Sequence, residues 1–393
     1  MKLTLLIVLL LAAPAISLAS DAPPIVGAIR WDGWYGEGNV VKALEASLGQ
    51  RKYHFRLPWF ARVIDEDKVS INGDSKAVFE QEIAYASQAG LKFWGFVDYW
   101  DEAPGMSIAL NRYLATNDKK GIRYCLVEEG SRLDKFGDDG WERLVEHFRH
   151  PDYQTVLDGR PLVFVFGKPT KLGKAEWDEL KRKTIAEGLK APYLVLMDEK
   201  AEADRVTLGF DAVSKYAASG KGYTTDPVSY AKLTSYHVRQ EMWEKWKKEG
   251  TPCVTFATAG WDTRPRQERP PPWCSRVTAT PDPTPPAKQK PLIDNVTATP
   301  DELATHLRDV MEWTKANREI NPTGIILVYA WNEYDEGGWL QPTLGADGRP
   351  NEGRIKALEK VLRPQSKATS KEKPCTTGRS SVEELHLLRN STL

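Results

Sequence analysis

The sequence predicts an α/β protein, a (β/α)8 TIM barrel with inserted loops. The chain has 393 residues, enough for one large barrel domain or two ordinary domains. Eight short apolar runs bounded by turn residues are typical of strands buried on both faces. Between most of them lies an amphipathic pattern with helical spacing. This alternation over about 340 residues favours one barrel. A doubly wound open sheet is the alternative, but no glycine-rich phosphate loop follows any predicted strand.

The elements follow in regular order. The predicted strands are residues 25–30, 93–98, 122–127, 162–166, 193–197, 212–216, 253–257 and 325–330. The predicted helices are residues 75–89, 106–117, 141–148, 175–187, 230–248, 300–317 and 354–361. In the first of these helices Phe79, Ile83 and Ala86 share one face, and Gly90 ends it. The link after the fifth strand is short, so any helix there is the least clear in the pattern.

Two insertions interrupt this alternation, at residues 40–74 and at residues 263–299. The second is rich in proline and follows the seventh strand. It is either a functional loop over the site or a locally disordered segment. The barrel is therefore predicted to span residues 21–363. Residues 364–393 are rich in Ser, Thr, Lys and Pro, which predicts a flexible C-terminal tail.

Residues 1–20 are typical of a secretory signal peptide. Lys2 gives the positive start, residues 3–13 the apolar centre, and Ser17 to Ala19 a small-residue cleavage site. The apolar stretch is short for a membrane span, although a retained anchor is the alternative. We expect a secreted or periplasmic protein with no membrane association after signal removal.

The amino-acid composition restricts the classes of binding partner and cofactor. Lys plus Arg and Asp plus Glu both number 54, so the zero net charge gives no general attraction to nucleic acid. The 14 tryptophans, many beside charged residues, indicate either a large core or stacking on sugar rings. None of the four cysteines has metal-ligand spacing, and we expect no metal and no cofactor. A disulfide between Cys253 and Cys274 would close a loop in an oxidising compartment, and the sequence leaves that pairing open. We expect a monomer.

The most informative stretch is residues 325–338, an apolar run followed by a polar and aromatic cluster. In barrels of this class, catalytic side chains gather at the carboxyl ends of the strands. Glu333 and Glu336 lie three residues apart, so a turn would bring both carboxylates to one side. Paired carboxylates are what cleavage of a glycosidic bond requires. The alternative is an acidic first turn of the last helix.

Acids and aromatics also follow the other predicted strands, and several are candidates for sugar contact. The candidates are Trp31, Asp98, Tyr99, Trp100, Glu128, Trp261, Asp262, Trp331, Asn332 and Tyr334. For Asp98 a helix cap is the alternative, and for Glu128 a solvated loop. Tyr99, Trp100 and Trp261 form either a stacking platform or the upper packing of the barrel. For His54, in the first insertion, we favour a structural role.

Four segments together resemble the glycoside hydrolase family 99-like and WbsX-like proteins. They are residues 89–100, 150–161, 260–266 (Gly-Trp-Asp-Thr-Arg-Pro-Arg) and 331–337 (Trp-Asn-Glu-Tyr-Asp-Glu-Gly). The resemblance covers most of the chain, and its last motif is the most specific. It implies a (β/α)8 barrel and retaining glycosidase chemistry. Glu333 would be the base that deprotonates the sugar 2-hydroxyl. Glu336 would be the general acid, and then the base that activates water.

We therefore expect a secreted glycoside hydrolase that acts on a polysaccharide or glycan. Mannose specificity is not carried over from the resemblance, and the linkage and endo or exo action stay open. The first alternative is a non-catalytic carbohydrate-binding protein on the same barrel. The second is a glycosyltransferase, a label that WbsX-like proteins have carried, which would require an activated sugar donor.

Overall fold

A computed structural model describes residues 22–100, 103–198, 200–218, 229–274 and 297–363. The predicted signal peptide and C-terminal tail, and most of the proline-rich insertion, lie outside these ranges. Within them, no helix combines the length and apolarity that crossing a bilayer requires. Cys125, Cys253 and Cys274 are free thiols, so Cys253 and Cys274 do not form a disulfide in this structure.

Eight parallel strands form the centre of the molecule. They are β1 (Ile25–Arg30), β2 (Phe93–Val97), β3 (Arg123–Glu129), β4 (Arg160–Phe166), β5 (Tyr193–Met197), β6 (Ala212–Val213), β7 (Thr255–Thr258) and β8 (Ile325–Tyr329). Neighbours in sequence pair in parallel from β1 to β6, and β8 pairs with both β7 and β1. A parallel bridge between Val213 and Cys253 joins β6 to the start of β7. The sheet therefore closes on itself, which confirms the predicted (β/α)8 barrel.

Helices surround this barrel. They are α1 (Asn39–Leu48), α2 (Lys76–Ala89), α3 (Ile108–Ala115), α4 (Gly130–Phe148), α5 (Lys174–Ala186), α6 (Ala201–Leu208), a helical run made of Tyr230–Lys232, Leu233–Glu244 and Lys245–Glu249, then Arg264–Glu268, α7 (Pro300–Ala316) and α8 (Gly353–Leu362). Helix α2 begins where the Ser75 side chain accepts a hydrogen bond from the amide of Val78, and it ends at Gly90, whose φ is 93°.

The sequence located all eight strands but not every helix. Helix α1 lies inside the first insertion, where no helix was predicted. Helix α4 begins at Gly130, eleven residues before the predicted start at Trp141. Its first half carries glycines and many charged residues, so the apolar periodicity that marks a helix is weak there. Helix α6 follows β5, where the pattern was least clear.

Alternation along each strand decides which side chains reach the barrel interior. A Cβ atom on Gly95 of β2 would lie 3.1 Å from Val127 and 3.9 Å from Leu327. Leu327 belongs to β8, which is not adjacent to β2, so this contact crosses the interior. Gly95 and Val127 therefore face inward. Their even-numbered neighbours on β2 and β3 face the surrounding helices.

Candidate active site

The candidate site follows β8. Asn332–Glu333 pairs with Gly338–Trp339 in a short antiparallel ladder, and a 3-10 turn, Tyr334–Glu336, connects the two. Gly337 has a φ of 83°, and a Cβ atom there would lie 2.4 Å from the backbone nitrogen of Asp262. Only glycine fits this close approach. The turn places Glu333 and Glu336 in one cluster, as their spacing predicted.

Arg266 lies at the centre of this cluster. It belongs to the short helix after β7 and contacts three carboxylates, two of which are the candidate catalytic ones. Its Nε donates to Asp335 Oδ2 at 2.5 Å, and its NH2 group donates to Asp335 Oδ1 at 3.1 Å. Its NH1 group pairs with Glu336 Oε1. The contact with Glu333 is longer, 3.4 Å from NH2 to Oε2. One guanidinium thus pairs with three acids, of which Glu333 and Asp335 are buried and Glu336 is partly buried, and its contact with Glu333 is the longest.

Two tyrosines, one partly buried and one fully buried, hold the remaining carboxylate oxygens. Tyr216, which follows β6, donates its hydroxyl to Glu333 Oε1 at 3.1 Å. Tyr329, the last residue of β8, donates to Glu336 Oε2. Burial raises the pKa of both phenols well above the ordinary value of 10.0, so both remain neutral donors. Each glutamate therefore has one tyrosine and a part of Arg266.

These contacts set the protonation of the pair. Burial, followed by the charge of Glu336, raises the pKa of Glu333 well above its ordinary value of 4.5, and Arg266 opposes this only in part. Burial also raises the pKa of Glu336, while Arg266 and the hydrogen bond from Tyr329 lower it. The larger rise belongs to Glu333, because its contact with Arg266 is longer. In the free protein the two carboxyls therefore titrate together at raised pKa, and the weaker contact with Arg266 favours the proton on Glu333.

Aromatic side chains surround these carboxylates. Trp31 donates its Nε1 to the Tyr99 hydroxyl at 2.7 Å, and the Arg266 guanidinium lies 5.5 Å from the Trp31 ring centre. Trp261 packs on Tyr329, with ring centres 5.7 Å apart. These three predicted residues, Trp31, Tyr99 and Trp261, therefore lie around the cluster.

Two further aromatic residues at this end of the barrel are exposed to solvent, and the sequence did not single them out. Phe166, at the end of β4, is 40% exposed and lies 4.5 Å from the Tyr216 ring centre. Trp273 is 43% exposed and lies 6.1 Å from the Trp31 ring centre. Both present the kind of accessible ring face that stacks on a sugar.

Three other predicted residues lie away from the cluster, in the layer between the barrel and its helices. Glu128 is fully buried, and its Oε2 accepts a hydrogen bond from Trp100 Nε1 at 3.0 Å. Asp98 forms an ion pair with Arg143 of α4, and its Oδ1 atom accepts a hydrogen bond from the backbone nitrogen of Trp100 at 3.2 Å. Strand alternation directs Glu128 outward and leaves Glu129 to face the mouth, where Arg132 joins Glu129 to the Tyr99 ring. Of these two adjacent glutamates, Glu129 rather than the predicted Glu128 lies at the barrel mouth.

The remaining predicted residues form structural contacts that support the candidate site. Asp262 is paired with Arg56 at 2.5 Å and with Arg264 at 2.7 Å, so both its oxygens are occupied. The Oδ1 atom of Asn332 accepts a hydrogen bond from the backbone nitrogen of Trp31 at 2.9 Å.

Trp331 and Tyr334 are both fully buried. The ring of Trp331 packs on Trp94, 5.4 Å away between centres. The hydroxyl of Tyr334 donates to Gln341 at 2.6 Å. Neither presents a ring face to solvent, because both are enclosed beneath the loop that carries Glu333 and Glu336.

The sequence did not identify Arg266, Tyr216, Tyr329 and Asp335 as site residues. Arg266 belongs to the segment Gly260 to Arg266 that carried part of the family resemblance, and this was its one signal. Tyr329 lies within an apolar run, where a tyrosine indicates packing. Among the described residues, no three His, Cys, Asp or Glu side chains are grouped as metal binding requires.

Of three comparisons with known proteins, a family model and solved structures match this chain. The family model described as "Glycosyltransferase WbsX" matches residues 125–348, more than half of the chain. No curated protein matches the sequence.

Two solved structures share the fold. One is a GH99 endo-alpha-mannosidase from Bacteroides thetaiotaomicron in complex with bis-tris-propane, with 15% identity, a TM-score of 0.51, and coverage of 86% of this chain and 94% of that chain. The other is described as a glycoside hydrolase-like protein, with 12% identity, a TM-score of 0.54, and coverage of 90% and 97%.

Proposed function

The chain belongs to the WbsX family, and we propose that this member is a glycoside hydrolase that cleaves a glycosidic bond in a polysaccharide or glycan. The observation that carries the proposal is the pair of glutamates, Glu333 and Glu336, held at the carboxyl end of the barrel by one arginine and two tyrosines. Aromatic rings around the pair offer surfaces for sugar stacking. The similar structure of an endo-alpha-mannosidase supports the barrel fold alone.

The chemistry needs one proton donor and one proton acceptor. In the proposed reaction, a glutamic acid protonates the glycosidic oxygen as its bond to the anomeric carbon breaks. The other glutamate takes the proton of the attacking oxygen, the sugar 2-hydroxyl in the retaining route that the resemblance implies. Water then attacks the anomeric carbon of the intermediate, and the first residue accepts the proton from that water. The bond from the anomeric carbon to the 2-oxygen breaks, and the other glutamic acid returns its proton to that oxygen. Both carboxyls end in their starting states, so no cofactor is consumed.

The resemblance assigns the acid role to Glu336, whereas the electrostatics of the free protein favour a proton on Glu333. Arg266 controls this distribution, because its NH1 group pairs with Glu336. A substrate that weakens this pairing would raise the pKa of Glu336 and transfer the proton to it. We therefore propose that the two glutamates share one titrating proton and that substrate binding moves it.

The experiment is oligosaccharide release from a panel of α- and β-linked polysaccharides. We expect Glu333→Gln and Glu336→Gln each to lower kcat by about 100-fold to 10,000-fold, the range for loss of acid or base catalysis. Glu312→Gln, on an exposed position of α7, is the matched control and should retain full activity. Proton NMR of the first-formed product would show whether the anomeric configuration is retained.

Full activity in both site variants would refute the assignment of the pair. Tight glycan binding without turnover by the wild type would instead support the non-catalytic binding protein. The family description favours testing a glycosyltransferase as the second candidate. A transferase would consume an activated sugar donor and extend an acceptor, whereas the hydrolase releases oligosaccharides without any donor.

The N-terminal sequence supports a proposal about the cellular location of the protein. We propose that the protein is exported and that a peptidase removes residues 1–20, because their charge and apolar pattern fit a secretory signal. N-terminal sequencing of protein recovered outside the cytoplasm is the test. A chain that still begins at Met1 in that fraction would contradict cleavage.

A further inference from the structure

A second cavity lies outside the candidate active site. Its volume is about 380 Å³, a size typical of small-molecule sites. Phe55 and Trp339 contribute aromatic walls, and Arg354 of α8 contributes a guanidinium. None of the side chains around Glu333 and Glu336 lines this cavity. The loop that carries those glutamates separates the two places, with Tyr334 stacked on Trp339 at 6.2 Å between ring centres.

Arg354 has an unusual environment for a buried arginine. Its residue is 8% exposed, and no carboxylate among the described residues forms an ion pair with it. Its NH1 group donates to the carbonyl oxygens of Trp339 and Ala259, and NH2 donates to that of Ala298 at 2.6 Å. A guanidinium has five N–H donors. Two of them, on Nε and NH2, have no acceptor among the residues that the structure describes.

Other positive charge adds to this excess. Arg56 lies 5.7 Å from the Trp339 ring centre, and Arg354 lies 4.0 Å from it. Burial, with Arg56 nearby, lowers the pKa of Arg354 to about 10. Three acids adjoin the cavity wall in sequence, Asp301, Glu302 and Glu352, and none forms an ion pair with Arg354. Glu302 caps its own helix through Thr299, and Glu352 pairs with Lys356 at 3.4 Å. A bound anion would compensate a charge that the protein leaves uncompensated.

The rest of the lining fits a sugar. The rings of Phe55 and Trp339 lie 6.5 Å apart, and Phe55 is 52% exposed. The hydroxyls of Thr297 and Thr343 and the side-chain nitrogen of Asn351 line the cavity without a hydrogen-bond partner in the described parts of the chain. Aromatic faces, hydroxyls and an amide are what sugar hydroxyls and ring carbons contact.

We propose that this cavity is a second, non-catalytic binding site for an acidic sugar unit, whose carboxylate or sulfate is bound by Arg354. The ring of that unit packs on Phe55, while Asn351 and the two threonines contact its hydroxyls. The site holds an anionic glycan beside the barrel mouth. It does not require hydrolysis of that glycan, so it can be tested whether or not the proposed activity is found.

Calorimetry on the full chain tests the proposal, with Glu333→Gln as the background to prevent turnover. The probes are trigalacturonate, a sulfated galactose oligosaccharide of similar length, and neutral maltotriose. We expect an acidic probe to bind at least about tenfold more tightly than maltotriose, the difference that one hydrogen bond to a charged group makes. Comparison of the two acidic probes shows which anion the site takes. Equal binding of acidic and neutral probes, or no binding, would overturn the proposal.

Matched variants locate the bound probe. Phe55→Ala changes an exposed side chain of the cavity and should weaken binding about tenfold without unfolding the protein. Phe166→Ala makes the same change at the barrel mouth and should leave this binding unchanged. Arg354→Lys keeps the charge but loses the planar fork, so it should weaken binding of the acidic probe more than that of maltotriose. The opposite result, loss in Phe166→Ala alone, would place the probe in the mouth and refute the site.

Discussion

Two charge clusters meet at the loop after β8, and they have opposite imbalances. The mouth cluster holds Glu333, Asp335 and Glu336 around the single cation Arg266. The support cluster holds Asp262 between two cations, Arg56 and Arg264. They are direct neighbours, because the backbone nitrogen of Asp262 donates to the carbonyl oxygen of Glu336 at 2.6 Å.

The imbalance determines the role of each cluster. Burial alone would raise the pKa of Asp262, but the hydrogen bonds and charges of Arg264 and Arg56 outweigh it and lower that pKa. In the mouth cluster burial raises the pKa values of Glu333 and Glu336, and one cation among three acids does not offset that rise. In the support cluster, the lowered pKa keeps Asp262 ionised. The mouth cluster is built for a proton that can move.

The largest stability effect should come from the support cluster. Asp262→Asn leaves two buried guanidinium groups without their carboxylate, which should cost about 3–5 kcal/mol in the free energy of unfolding. The folded pKa of Asp262 is lowered, so its contribution is present above the unfolded value of 3.8 and is lost as pH falls through the folded pKa. Chemical denaturation at neutral and at strongly acidic pH should show the deficit shrinking. An unchanged deficit would mean that the charge is not its cause.

Removal of the single cation should act on chemistry more than on folding. Arg266→Met takes away the charge that lowers the pKa of both Glu333 and Glu336. Both limbs of the kcat/KM profile should therefore move to higher pH, with a loss of about 100-fold at the optimum from misplaced carboxylates. Arg266→Lys is the control, since it keeps the charge and should keep the profile. A profile that stays in place in Arg266→Met would separate Arg266 from the titration.

The smallest expected effect is a gain in stability. Glu333→Gln replaces an acid whose folded pKa is raised, so the wild type loses stability as pH rises from the ordinary value of 4.5 toward the folded pKa, because the unfolded chain ionises in this range while the folded protein keeps its proton. The variant should be more stable by about 1 kcal/mol at neutral pH, as is common when a strained functional group is removed. The gain should vanish below pH 4.5. Thermal unfolding across this range measures it, and a loss at neutral pH would contradict the proton assignment.

The barrel was predictable because its signal is local. Each strand is an apolar run with turn residues on either side, and the strand number and order follow from counting. The pair Glu333 and Glu336 was predictable for the same reason, because both residues lie in one short segment. Helix α1 was missed because it lies in an insertion that was predicted to be a loop from its aromatic and polar residues.

The rest of the site depends on contacts between distant segments. Asp98 and Asp262 are acids at strand ends like the catalytic candidates, but Arg143 and Arg56 occupy them. Those arginines lie 45 and 206 residues away in sequence, so no local pattern pairs them. The choice between Glu128 and Glu129 depends on where β3 ends and on the face that each presents, which a shift of one residue reverses.

The barrel is a ring with one weak link. Strand β6 has only two residues, and it is joined to the β7 side through a single bridge. Two hydrogen bonds hold this joint, from Val213 to the carbonyl of Pro252 at 2.9 Å and from Val254 to that of Val213 at 2.8 Å. Tyr216 follows the short strand directly and carries the hydroxyl that reaches Glu333. A transient opening of the barrel at this joint would therefore move the Tyr216 hydroxyl away from Glu333. Opening of the barrel and loss of this hydrogen-bond donor from the site would then be a single motion.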